Sequence, residues 1–382
     1  MALNLAVLAG SRDEDAGTAG AAHVMEHLFF QGTDRCRTTD DVVEPIVARG
    51  GSFNAATERE MIGFFVDAPA TALSVAIEQV GDVLVNARFD ETRLEKVRGV
   101  VIEELRRRAN DAGQLARNTF NDLVLGEHPA RHSPGGTPEN VRAITLDALW
   151  QYRRDQFRAG NMVLAVVGRL DHEDVVARAQ EALGGIPSGG SMRASVSPPR
   201  SSGARRELTA GRTTTQIVMG FTGPGLNSSE RYPLTVTAAI LGRAGRRLRR
   251  VLREERALTY AVSAQFGALS DIGVLSIGTG VDSDRCEEAV DVIETEIERL
   301  RMHGVSHAEL RLATGFIEGR TYLSEERNLA QARRLSGHEL LGVPQSLDAY
   351  VHRIQGVTVD EIQASARESL DPAEAVRVIV RP

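Results

Sequence analysis

The chain is poor in cysteine, lysine and aromatic residues, and it lacks a surplus of positive charge. Two cysteines in 382 residues, Cys36 and Cys286, lie too far apart for a disulfide framework or a cysteine-ligated zinc site, so a reducing compartment is the default. Lys96 is the only lysine, and the remaining positive charge is arginine, a bias that carries no ligand signal. A net charge of −7 argues against a general nucleic-acid binder, which needs a basic surplus or a concentrated basic face. The N-terminal apolar run, residues 1–10, has no positive n-region and is too short to span a bilayer. It reads as a strand, with no membrane association, and the expected location is the cytoplasm.

What is present is an ordinary globular composition, 42% hydrophobic and 25% charged, with aromatics at 4%. The length favours two domains over one. A Pro/Gly/Ser-rich stretch, Ile186 to Gly203, has the composition of a tether and divides the chain near its midpoint. The expected division is a domain over 1–187, a linker over 188–204 and a second domain over 205–382. The flanking halves resemble each other. Thr145–Trp150 recurs as Thr358–Gln363, and the apolar run 161–167 recurs as 374–380, both at an offset of 213 (374 − 161). Phe89–Leu94 recurs as Val305–Leu310 at an offset of 216 (305 − 89), each opening a long helix.

Short apolar runs bounded by turn residues predict strands at 3–10, 63–69 and 163–168. Apolar residues every three or four positions predict helices at 21–31, 40–48, 70–86 and 91–108. The fold class is therefore α+β, with two homologous α/β-sandwich domains, each a mixed sheet packed by helices.

Within the helix predicted at 21–31 stand His23, Glu26 and His27. Positions i and i+4 share one helix face, so both imidazoles can address one ion. Glu26, at i+3 from His23, can reach a water there without entering the coordination sphere. This H-x-x-E-H spacing is the inverted form of the H-E-x-x-H zinc motif. A bland alternative is a pair of solvent-facing histidines, against which Val24, Met25, Leu28, Phe29 and Phe30 would bury the helix nearly all round. A catalytic zinc site needs a third protein ligand, commonly a carboxylate. In the helix 91–108, Glu104 continues the stripe of Val97, Val100 and Val101, whereas Glu103 follows Lys96, Gly99 and Arg107. Helical phase thus selects Glu104, whose burial an ion would compensate; a buried salt bridge to an arginine is the alternative.

These residues resemble the pitrilysin/insulinase family of zinc metallopeptidases, in particular the two-domain subunits similar to mitochondrial processing peptidase, over nearly the whole chain. The family pairs H-x-x-E-H with a later glutamate in a V-V-x-E-E-like segment, which Val100–Glu104 matches. Arg49–Thr57 resembles the family's G-G-x-x-N-A-x-T element, which leads an edge strand that pairs with extended peptide. The resemblance implies Asn54 and Ala55 as substrate-binding residues, although turn chemistry alone also explains them. Leu252–Val262 and the preceding Leu241–Leu248 resemble the element that carries an arginine and a tyrosine against the substrate near the scissile bond. Arg247 and Tyr260 occupy those places and are implied as catalytic and substrate-contacting donors to a developing oxyanion. The basic run Arg243–Arg256 otherwise reads as a solvated amphipathic face, since Leu248, Val251 and Leu252 give it an apolar side.

The second half has no metal motif: the offset of 216 carries Glu104 onto Arg320. Two departures from the family stand out. The chain starts almost at Gly10–Glu14, where members usually begin with another strand or two, so an edge of the first sheet is expected to be missing. Val97 lies seven positions before Glu104, where members commonly carry a second glutamate.

The resemblance implies a zinc-dependent endopeptidase acting on unfolded peptides, with one zinc ion on His23, His27 and Glu104 and with Glu26 as general base. It also implies a homodimer or a heterodimer with a homologous subunit. Two rivals stand beside it: a non-catalytic peptide-binding partner in a heterodimeric peptidase, and a peptidase dedicated to one precursor.

Overall fold

The computed structural model describes residues 1–15, 17–190, 193–210, 214–343 and 345–382. Residues 191 and 192 of the expected linker lie outside the described residues. The first elements in chain order are β1 (Ala2–Val7), α1 (Ala21–Phe29), α2 (Thr39–Val47), β2 (Ser52–Thr57) and β3 (Ile62–Asp67). There follow α3 (Leu73–Asn86), α4 (Glu91–Ala109), α5 (Ala112–Leu125), α6 (Pro138–Ala143), α7 (Leu146–Gln156), β4 (Met162–Val167) and α8 (His172–Leu183). Past the linker come β5 (Arg205–Thr209), β6 (Thr215–Pro224), α9 (Arg231–Leu241), α10 (Arg247–Arg249), β7 (Val262–Ala268) and β8 (Ile272–Val281). The chain closes with α11 (Cys286–His303), α12 (His307–Ser324), α13 (Asn328–Leu340), α14 (Leu347–Gln355), α15 (Val359–Ser369) and β9 (Val376–Arg381). The fold is mixed α/β, with two sheets each packed by helices.

Two compact units account for the contacts. The first comprises 1–106, 132–193 and 324–344; the second comprises 107–131, 194–323 and 345–382. The units are therefore discontinuous, whereas the halves expected from the repeat are continuous.

In the first unit the sheet order is β2-β3-β1-β4, antiparallel throughout. All six residues of the inner strand β1 are buried, because both faces of the sheet are covered. Leu3, Leu5 and Val7 enter the large core with Phe29 and Phe64. The intervening Asn4 points the other way and donates a 2.6 Å hydrogen bond from Nδ2 to Ser336 Oγ of α13, which lies across β1 and β4. This alternation is the period of two that a strand imposes.

In the second unit the order is β5-β9-β6-β8-β7, with β5 parallel to β9. Along β6, Ile217, Met219 and Phe221 enter one core and Val218 a second core beneath α5. Helix α5 thus covers the second sheet as α13 covers the first. The offset of 216 maps the start of α5, Ala112, onto Asn328, the start of α13 (112 + 216). Equivalent helices of the two sequence halves are therefore exchanged between the units. The order β2-β3-β1-β4 corresponds to β7-β8-β6-β9, and β5 has no counterpart beside β4. The six residues of β4 are accordingly all half-buried, whereas four of six in β9 are buried.

Local chemistry accounts for the boundaries. Thr145 and Thr358 each cap a helix, their hydroxyls accepting from Ala148 N and Glu361 N at 3.2 Å, so the repeated motif marks the same helix start in both halves. The helix expected over 70–86 opens with a 3-10 turn, Ala70–Ala72, before α3. Among the described residues no helix is long and apolar enough to cross a membrane.

Candidate metal centre and active site

Helix α1 carries both histidines one turn apart, their ring centroids 4.8 Å from each other. Its N-terminus is built by Glu14, whose two carboxylate oxygens accept 2.8 Å hydrogen bonds from Gly20 N and Ala22 N. Gly20 takes a left-handed φ of 91° to turn the chain into the helix, a conformation glycine adopts without steric penalty. The segment that delivers Glu14 is braced in turn: Arg12 pairs with Glu60 at 2.6 Å, and Asp13 with Arg193 at 2.5 Å. Burial pushes the Glu14 carboxyl up to about 8, against the lowering effect of its two backbone N–H partners.

Helix α4 brings Glu104 to the same point. Glu104 Oε2 lies 3.4 Å from His23 Nε2 and 3.7 Å from His27 Nε2, and the two Nε2 atoms are 3.2 Å apart. Ligands at zinc–nitrogen and zinc–oxygen distances on a tetrahedron are about 3.3 Å from one another, so the three donor atoms already outline one face of such a site. His23 is buried and the other two are half-buried, which leaves a side open to solvent. The donor set, two imidazoles and a carboxylate, suits zinc.

The phase argument on α4 needs one correction. Val97 and Val101 are buried, but Val100 is 49% exposed and does not belong to the inward stripe. Leu94 supplies the missing buried position. Glu103 points outward and pairs with Arg106. Val97, where the family often carries a glutamate, packs in the core of the unit.

Glu26 lies beside the three donors on α1. Burial raises its pKa, a hydrogen bond from Thr57 and the charge of His27 lower it, and Glu104 raises it. Thr57 Oγ1 donates to Glu26 Oε2 at 2.5 Å. Thr57 ends β2, an edge strand of its sheet. On that strand Asn54 is exposed and accepts a 2.8 Å hydrogen bond from Ala55 N through its own side chain, while Ala55 is buried. Neither Thr57 nor Glu14 was singled out from the sequence, and the only available signal was their presence in the segments Arg49–Thr57 and Gly10–Glu14.

Arg247 and Tyr260 belong to the second unit. Arg247 is engaged: its Nε and Nη2 donate to Glu309 Oε1 at 3.1 and 2.8 Å. Tyr260 is 92% exposed.

Family models match both parts of the chain: "Insulinase (Peptidase family M16)" over residues 1–129 and "Peptidase M16 inactive domain" over residues 143–314. An uncharacterized zinc protease of Mycobacterium leprae is 32% identical over 97% of this chain and 84% of its own. The chain belongs to the insulinase family, M16. Among M16 relatives, an uncharacterized zinc protease of Streptomyces coelicolor is 29% identical over 97% of this chain and 82% of its own. The fold matches a solved peptidase M16 inactive domain from Pseudomonas fluorescens with a TM-score of 0.91, at 21% identity, covering 100% of this chain and 92% of that one. A chain of complex III from Candida albicans also matches, with a TM-score of 0.84 at 15% identity, covering 100% of this chain and 90% of that one. His23, Glu26, His27 and Glu104 all lie within residues 1–129, outside the stretch whose match is labelled inactive.

Proposed function

We propose that this M16 member is a zinc-dependent endopeptidase acting on unfolded peptides, with one zinc ion per chain held by His23, His27 and Glu104. The reading rests on the spacing of the three donor atoms, 3.2 to 3.7 Å, beside a buried carboxyl. A zinc ion in such a site acts as a Lewis acid and acidifies a bound water. Glu26 accepts a proton from the water that attacks the peptide carbonyl and returns it to the leaving amine. Thr57 holds the Glu26 carboxyl in place through Oε2. The edge strand β2, with Asn54 and Ala55, takes an extended peptide by main-chain pairing, which reads little side-chain sequence and suits unfolded substrates. Within the second unit, Tyr260 and Arg247 are donors that can meet a peptide. The likeness to a complex III chain supports assembly with a second copy or a homologous subunit. The cysteines, both free, fit the cytoplasm.

The test is Glu26→Gln. The variant is expected to retain stoichiometric zinc by elemental analysis and to lose peptide hydrolysis by roughly 10²–10⁴-fold. Full activity in that variant, or wild-type hydrolysis that survives complete removal of metal, rejects the reading.

A further inference from the structure

Apart from Arg247, the arginine-rich segment after α9 has no part in the chemistry above, yet the second unit arranges it around a cavity. Arg243, Arg249 and Arg253, joined by Arg117 of α5, line a space of about 720 Å³ in which no carboxylate takes part. The remaining wall is uncharged, formed mainly by residues of β6, β7 and β8, with Tyr260 beside them. Some arginines of this unit are matched elsewhere: Arg205 to Glu287 at 2.6 Å, Arg285 to Glu288 at 2.7 Å and Arg377 to Glu294 at 2.5 Å. Around the cavity pairing is sparse. Arg249 reaches Glu254 only at 3.7 Å, and Arg117 donates to the neutral Gln114 at 3.0 Å. Arg243 and Arg253 make no ion pair among the described residues.

Like charges ringing one space raise its positive potential, and an anion entering it relieves the repulsion. Guanidinium forks match carboxylates in a two-point geometry that lysine does not offer. A groove for single-stranded nucleic acid would stack bases on several aromatic rings, whereas Tyr260 is the one aromatic residue in this lining. Tyr260 is also the residue assigned to substrate contact above, which places anion recognition and peptide contact in one cavity.

We propose that this cavity is a specificity site for acidic side chains, and that the protein selects peptide segments rich in Asp and Glu. Selection among substrates rests on the peptidase reading; the binding itself does not.

The test uses the full chain carrying Glu26→Gln and fluorescence anisotropy with a labelled peptide of alternating Glu and Gly, its Gln counterpart and its Lys counterpart. The Glu peptide is expected to bind roughly tenfold or more tightly than the Gln peptide, with an affinity that falls as salt is raised. R243Q/R253Q is expected to weaken it by up to about fivefold per guanidinium, with the Gln peptide unaffected. Equal binding of the Glu and Gln peptides, which needs no variant, overturns the proposal. So does displacement of the Glu peptide by a thymidine oligonucleotide or by inorganic phosphate at lower concentration than by the unlabelled peptide. Wild-type hydrolysis without preference for Glu overturns it and leaves the peptidase reading standing; selective binding without hydrolysis supports it and defeats the peptidase reading.

Discussion

Thr57 Oγ1 and Glu26 Oε2 are joined by a 2.5 Å hydrogen bond that ties the end of the edge strand β2 to α1. The strand proposed to take a peptide and the carboxyl proposed to take a proton are thereby held in one relation. Burial raises the Glu26 pKa, and the Thr57 hydrogen bond is the largest influence lowering it. Thr57→Val removes that influence, so the base ionises at higher pH. The acid limb of the kcat/KM profile is expected to move upward in pH, with Thr57→Ser restoring it. An unchanged profile in Thr57→Val would show that the contact does not govern the base.

His27→Ala and Glu104→Ala each delete one of three donors. Zinc at a hundred times its dissociation constant stabilises the wild-type fold by about 2.7 kcal/mol, read as a rise in melting temperature. Neither variant is expected to show that rise at the same zinc concentration. Stoichiometric, equally tight zinc in His27→Ala would remove that residue from the ligand set.

Glu14 gives the fold a pH dependence. Its carboxyl titrates near 4.5 when unfolded and about 8 when folded, so the folded state binds the extra proton between those values. The contribution is fully present below about pH 4.5 and is lost as pH rises to about 8, with a slope of at most about 1.4 kcal/mol per pH unit. Urea titrations at pH 5, 6.5 and 8 are expected to show wild-type stability falling relative to Glu14→Gln. A difference that stays constant over this range would place the folded pKa elsewhere.

The contact between Asn4 and Ser336 spans 332 residues and is wholly buried. Ser336→Ala leaves the Asn4 amide without that acceptor and is expected to destabilise the fold by about 1–3 kcal/mol. Adding Asn4→Leu should recover part of the loss, because an apolar pair needs no partner. Strictly additive losses in the double variant would mean the two residues act separately.

The parts of the site legible in the sequence are those governed by short-range geometry. His23, Glu26 and His27 share a face because 3.6 residues complete a turn, and Glu104 was selected over Glu103 by the phase of α4. The same rule overreached at Val100, whose exposure depends on how wide a strip of α4 the core covers. Thr57 and Glu14 escaped notice because their partners lie on other elements, and no periodicity links residue 57 to residue 26. Arg247 reads as a substrate contact by resemblance, yet only the packing of α12 discloses its pairing with Glu309.

The repeat tells a similar story. Matching caps at Thr145 and Thr358 and matching strands β4 and β9 could be read directly, since each depends on a few adjacent residues. The exchange of α5 and α13 could not, because no local periodicity records which sheet a helix packs against.

By itself the amino-acid sequence determined the mixed α/β class, the duplication and the pairing of two imidazoles on one helical turn, all of which follow from local periodicity and covalent spacing. Tertiary structure alone decided which helix covers which sheet, how the Glu26 carboxyl is held and which four arginines line one cavity. Those outcomes depend on which surfaces become buried against one another, and burial is a property of the whole folded chain.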